Sequence, residues 1–169
     1  DGGQCVYGWQ DDSFINGAVL HLKKESAVLR DLLKFTSDEY SIPPFFDEEI
    51  RNELLRSKLN NTPKHVSNMF WGVWGPRALT HFISLNEVSC VAKRREVFYP
   101  LHHSECHALF SRAHDISHLI KDDTKCIHMW NHMITKPSSI RPTIKDGDLL
   151  AEEGSFFYEF CKRELGFIF

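Results

Sequence analysis

Between residues 14 and 35 the hydrophobic period of the chain changes from that of a strand to that of a helix. "FINGAVLHL", residues 14–22, alternates and then runs apolar in the manner of a buried strand, with Asn16-Gly17 where the backbone must turn or approach something closely. "ESAVLRDLLKF" follows at once and sets Val28, Leu29, Leu32, Leu33 and Phe35 on one side of a helix. A strand that feeds directly into a helix restricts the chain to the mixed classes, α/β or α+β.

Proline fixes the next boundaries. "SIPPFF" at 41–46 cannot be helical, because Pro43 and Pro44 lack donors and restrict the residues before them. Asp47 then caps a predicted helix, "DEEIRNELLRSKL", with Ile50, Leu54, Leu55 and Leu59 as its buried face. After an aromatic, glycine-bearing loop, Pro76 is predicted to open a short helix, "PRALTHFISL". "EVFYPL" and "KCIHMW" read as short strands or extended segments, and "GSFFYEFCKREL" as a terminal helix capped by Ser155. Pro, Ser, Gly and Asp dominate residues 135–154, which predicts a surface connection.

The chain has 169 residues, about one domain's worth and enough for a single core. A formal charge of -3 gives no footprint for nucleic acid, and "KRRE" at 93–96 is too short to make one. No apolar stretch approaches the roughly 18–20 residues that span a bilayer, and "DGGQC" has the features of no signal peptide. Cys5, Cys90, Cys106, Cys126 and Cys161 are spread without a CxxC, which argues against a compact zinc ribbon or a redox motif. Their odd number leaves two readings, buried free thiols or a partner outside the chain. Asn60-Asn61-Thr62 is a formal glycosylation sequon with Pro63 directly behind it.

Ten histidines invite a metal. If "HHSECHALFSRAHDISH" at 102–118 were helical, His102 with Cys106 and His103 with His107 would share a face as i, i+4 pairs. His114-Asp115-Ile116-Ser117-His118 resembles a metalloprotease zinc helix, but Asp stands where that chemistry uses Glu as base, and no third ligand follows at its spacing. Surface or half-buried histidines are the plainer reading, with a zinc-binding module as the other. In "FWGVWGPRALT" two tryptophans flank Gly72 before a helix start. Such faces stack on the apolar side of sugar rings, although Trp71 and Trp74 as core filling is the simpler account. His128 in "IHMWN" is by its surroundings a hydrogen-bonded core histidine or a ligand, and Asn131 a turn cap.

Three stretches in order, "INGAVLHL" at 15–22, "WGVWGPRALT" at 71–80 followed by "VFYPL" at 97–101, and "CIHMWN" at 126–131, together resemble the α-1,4-glycosyltransferase family. This is the family of lactosylceramide 4-α-galactosyltransferase and α-1,4-N-acetylglucosaminyltransferase. The resemblance covers nearly the whole chain. It implies the Rossmann-like glycosyltransferase architecture called GT-A, an α/β fold with a mixed sheet flanked by helices, of which residues 1–169 would be the C-terminal half of one catalytic domain. The implied activity is retaining transfer of a hexose or N-acetylhexosamine from a UDP-sugar donor to a glycolipid or glycoprotein acceptor glycan. A divalent cation, Mn²⁺, would offset the charge of the departing diphosphate.

By the same resemblance His128 is a metal ligand, one ligand of a site that a DXD motif would otherwise hold. Trp130 and Asn131 would orient it or line the donor pocket. Asn16 falls beside the donor sugar, Gly17 admits the substrate, and Gly75-Pro76 open the helix on the acceptor side of the cleft, with Trp71 and Trp74 near donor or acceptor. The chain departs from the family in two places. Trp74 stands where relatives commonly carry Gln, and indole cannot replace an amide's polar contacts, so acceptor binding is open to question. Asp11-Asp12 is the only acidic pair near the start, too close to the "NGA" strand to serve as the DXD. The DXD-bearing part and an N-terminal membrane anchor are therefore expected upstream of residue 1. The parent protein is expected in the Golgi lumen, and this chain alone is expected to be inactive. A non-catalytic glycan-binding remnant of the same fold is the alternative.

Overall fold

The computed structural model describes residues 4–86, 92–134, 144–145, 148–149 and 151–166. The chain divides into two compact units, residues 1–93 and 94–169. Among the described residues no helix is long and apolar enough to cross a membrane.

The first unit opens on a hairpin of β1 (Val6–Trp9) and β2 (Ile15–His21). Asp11 makes its turn, accepting from the backbone amides of Ser13 and Phe14 at 2.8 Å each. This acidic pair is turn chemistry, in keeping with its nearness to the strand. The register runs from Val6↔His21 to Gly8↔Asn16, two positions on β1 against five on β2, so β2 bulges at Gly17–Leu20. Asn16-Gly17 thus marks an irregularity, as its sequence predicts, but inside the strand. Only Ile15 of β2 is buried. The apolar run of 18–22 had suggested a buried strand; the bulge turns it outward instead.

The other edge of β1 carries a single parallel bridge, Gly8↔Lys93, with Trp9 N–H donating to Lys93 O at 3.0 Å and Lys93 N–H to Tyr7 O at 2.9 Å. With a two-residue ladder of β3 (Ile144–Lys145) and β4 (Asp148–Leu149), this is the whole strand content among the described residues. The class is mixed α/β, and among the described residues the strands form two small antiparallel ladders and one parallel bridge.

Helix α1 (Ala27–Thr36) is capped by Ser26, and α2 (Glu48–Leu59) by Asp47, whose carboxylate accepts from Ile50 N–H at 2.9 Å. Helix α3 (Pro76–Leu85) begins at its proline, as predicted, and supplies Ala78, Leu79, Phe82 and Ile83 to a core shared with Tyr7, Ile15, Val28 and Phe35. α2 reaches that core through Leu54 with Ile50 packed against it; Leu55 and Leu59 are exposed, against the predicted face.

In the second unit "EVFYPL" is not a strand. Its first residues form one helical turn, α4 (Arg95–Phe98). "KCIHMW" is neither helix nor strand and runs beside it, tied by Lys125 N–H to Val97 O (2.8 Å), the preceding Thr124 Oγ1 to Glu96 O (2.8 Å) and Trp130 Nε1 to Leu101 O (2.9 Å). Two of these three ties are made by side chains, so neighbourhood is achieved without a ladder. His103–Phe110 is a 3-10 helix, followed by the short α5 (Asn131–Ile134) and α6 (Phe156–Phe160), the last continuing as a π turn over Cys161–Leu165. Ser155 caps α6, its hydroxyl accepting from Tyr158 N–H at 3.3 Å. Most of the predicted connection at 135–154, and Cys90, lie outside the described residues. Among the described cysteines none forms a disulfide.

Candidate functional site

In the first unit β2 lies on α3. Ile15 N–H donates to Thr80 Oγ1 at 2.8 Å, and a Cβ on Gly17 would sit 4.0 Å from Leu79 Cδ2. Asn16 and Gly17 are thereby brought to the helix that Pro76 opens. The Asn16 amide is held at both ends: Oδ1 accepts from Ala18 N–H at 2.7 Å, the strand amide displaced by the bulge, and Nδ2 donates to Gln10 Oε1 at 2.7 Å. Gln10 is itself buried and donates to Asp11 Oδ2 at 2.8 Å. A part-buried polar chain of this kind fixes the orientation of its last member. Nothing in the sequence marks Gln10 or Thr80, since each is defined by a partner brought near through the hairpin or the helix.

The aromatic loop before α3 is a compact turn built on Gly72. Its carbonyl accepts from both Gly75 N–H and Arg77 N–H at 3.0 Å, and its φ of 82° is one that L residues rarely adopt. Arg77 Nε donates to Trp71 O at 2.9 Å and ties the loop to the helix. The turn sends Val73 inward, 3% exposed, and leaves Trp71 and Trp74 outside at 62% and 39% exposed. The two tryptophans are therefore not core filling. They present indole faces to solvent beside Gly75-Pro76, in the form suited to stacking on a ring.

The second unit holds His128, Trp130 and Asn131 together. Trp130 is buried and has a φ of 53°, uncommon for any non-glycine residue and costly for a bulky one. Three contacts hold it there: its Nε1–H to Leu101 O, its own N–H to His128 Nδ1 at 3.2 Å, and its ring against the His128 imidazole with centroids 4.3 Å apart. Tyr99 packs on both rings. Burial, and then the charge of nearby His132, push the His128 pKa below the ordinary histidine value, so the imidazole is neutral at neutral pH. Asn131 is exposed at the start of α5. Trp130 thus orients His128 by packing and by its backbone N–H.

His128 suits the part of one neutral metal ligand. With Nδ1 accepting from Trp130, the ring proton belongs on Nε2, and a cation captured at Nε2 requires that proton to move to Nδ1 at the expense of the Trp130 bond. Among the described residues no three of His, Cys, Asp and Glu gather as a cation site. The histidine-rich run fares accordingly. His103–Phe110 is a 3-10 helix, with three residues per turn, so i, i+4 partners do not share a face, and residues 111–116 are not helical. Instead, His102 Nδ1 accepts from Ser104 N–H at 3.4 Å and caps that helix.

A family model described as the alpha 1,4-glycosyltransferase conserved region matches residues 47–151. That span includes the tryptophan turn, Gly75-Pro76 and His128–Asn131. No curated protein and no solved structure matches the chain.

Proposed function

The chain belongs to the alpha 1,4-glycosyltransferase family, and on that premise we propose that the protein passes a hexose or N-acetylhexosamine from a UDP-sugar, with retention, to a hydroxyl of a glycolipid or glycoprotein glycan. The observation that carries the reading is the family match, whose residues 47–151 take in the tryptophan turn with Gly75-Pro76 and His128–Asn131; Asn16 and Gly17 lie before it and join by their contact with the helix that Pro76 opens. The GT-A architecture, the Golgi lumen and a membrane anchor outside this chain belong to the same proposal.

Each group contributes by a stated physical means. Asn16, fixed by Gln10 and Ala18, offers a pre-oriented amide to ring hydroxyls of the donor sugar, and reorganisation is avoided because the amide is already held. Trp71 and Trp74 stack on the apolar faces of acceptor sugars, and the exposure of both supports that use. His128 supplies a neutral imidazole to the metal site, with the Trp130 ring packed against it and Asn131 beside it. Mn²⁺, when bound, would offset the charge developing on the departing diphosphate. No carboxylate of the chain is assigned as nucleophile.

The exposed tryptophans also favour a second reading, in which the protein binds glycans without turning over a donor. Release of UDP by the complete protein separates the two. The transferase reading expects Mn²⁺-dependent release in the presence of a glycan acceptor. It also expects His128→Ala to lower release by at least about tenfold, the loss that even an outer-shell partner of a metal can cause. Full activity in His128→Ala would remove the ligand assignment. Glycan binding with no UDP release under any condition would leave the second reading in place.

A further inference from the structure

The second unit contains an open surface cavity of about 340 Å³ between residues 112–117 and 154–163, lined mostly by exposed side chains and near the lower end of the roughly 300–1,000 Å³ typical of ligand pockets. None of its lining residues is among those proposed above for donor, acceptor or metal. Its walls are pinned to each other: the Glu152 carboxylate accepts from Arg112 N–H at 2.8 Å and from Ser111 Oγ at 3.2 Å, and Glu152 N–H donates to Phe110 O at 2.9 Å. The Phe110 and Phe157 rings pack 5.0 Å apart behind them. The cavity is therefore formed by held backbone.

Its lining combines two guanidinium groups, Arg112 and Arg163, two carboxylates, Asp115 and Glu159, and two phenyl rings, Phe156 and Phe160. The rings are nearly parallel, 12° apart, and Phe160 is exposed. Asp115 is held ionised, since the Ser117 backbone N–H at 2.9 Å, and then its hydroxyl, keep the carboxyl below the usual range. The formal charges of the two arginines and the two acids cancel, and Arg163 is further paired with Glu164, its Nε donating to Oε1 at 2.6 Å. A phosphate-like anion would meet two carboxylates, and a cation would meet two guanidiniums. An uncharged polyol uses both kinds of group, its hydroxyls donating to the carboxylates and accepting from the guanidiniums. The phenyl rings suit its C–H face.

We propose that this cavity binds one uncharged pyranose unit, as a carbohydrate site separate from the residues of the transfer reaction. The site rests on the chemistry of its own lining and requires neither UDP nor a divalent cation.

Saturation-transfer NMR on the complete protein, with EDTA present and UDP absent, tests this with methyl β-D-galactopyranoside and methyl N-acetyl-β-D-glucosaminide. The expected result is transfer to the ring C–H protons of at least one glycoside. Binding should weaken at least about tenfold in Arg112→Ala and in Phe160→Ala, the effect of about 1.4 kcal/mol. Circular dichroism keeps the comparison to folded variants, and the milder Glu159→Gln should weaken binding in the same direction. Absence of transfer from both glycosides, or transfer unchanged in all three variants, overturns the proposal. So does displacement of the glycoside by inorganic phosphate or glycine through the same residues, which would make the cavity an anion or amino-acid site. UDP release assayed on the same samples keeps the two ideas apart: silent glycosides with UDP release intact defeat only the cavity, and the reverse defeats only the transferase reading.

Discussion

Gly72 shows how one backbone angle arranges several side chains. At φ 82° its carbonyl takes two amides of the following turn, which faces Val73 inward and Trp71 and Trp74 outward. A Cβ there would have room, its nearest neighbours at 3.6 Å, so the cost of Gly72→Ala is conformational and not steric. We expect a loss of about 1–2 kcal/mol, read from the urea midpoint, together with a change in tryptophan emission. An unchanged midpoint would mean that the turn can be made without a left-handed residue. Trp130 is the opposite case, a bulky residue kept in the left-handed region by its burial and three contacts. The sequence marks Gly72 openly, since glycine is where such angles are expected. It cannot mark Trp130, whose angle is affordable only because Leu101, His128 and Tyr99 converge on it.

At the scale of elements, caps, prolines and the buried face of α3 are legible in the sequence, and the face of α2 only in half. Asp47, Pro76 and Ser155 act on neighbours within four residues, so each can be recognised locally. The face of α2 is decided by what lies across from it. Ile50 and Leu54, four apart, form the stripe that meets the core, while Leu55 and Leu59 form the adjacent stripe, turned about 100° away. Leu54→Ala should cost about 2–5 kcal/mol and Leu59→Ala no more than about 0.5 kcal/mol, measured by denaturant unfolding. Equal losses would place Leu59 against something the described residues do not provide. "EVFYPL" has strand-forming residues, but its amides find no ladder and its first three lie with Arg95 in a helical turn. Similarly, the histidine-rich run looked like a ligand face only under a 3.6-residue period, and its 3-10 geometry dissolves that alignment.

For the whole molecule, stability against pH follows from histidines that are better accommodated neutral. His81 packs between the rings of Phe45 and Phe82, and burial pushes its pKa below the ordinary value near 6.5. A depressed folded-state pKa means that the unfolded chain takes up the proton first as pH falls. Its contribution is therefore fully present above about 6.5 and is lost as pH falls through the lowered folded-state value. Urea midpoints taken from about pH 8 to about pH 5 should decline, and His81→Phe, which keeps the ring contacts without a titrating group, should decline less. Parallel declines would assign the effect to other groups. Sequence alone determined the mixed class, the starts of α2, α3 and α6, and the resemblance that the family match supports, because periodicity, caps and ordered motifs are local or linear properties. Tertiary structure alone decided that Trp71 and Trp74 face solvent, that Gln10 and Ala18 hold Asn16, and that a buried tryptophan orients His128. Burial and hydrogen-bond pairing depend on the groups that folding brings together, and those are often far apart in sequence: Ile15 meets Thr80, and Leu101 meets Trp130.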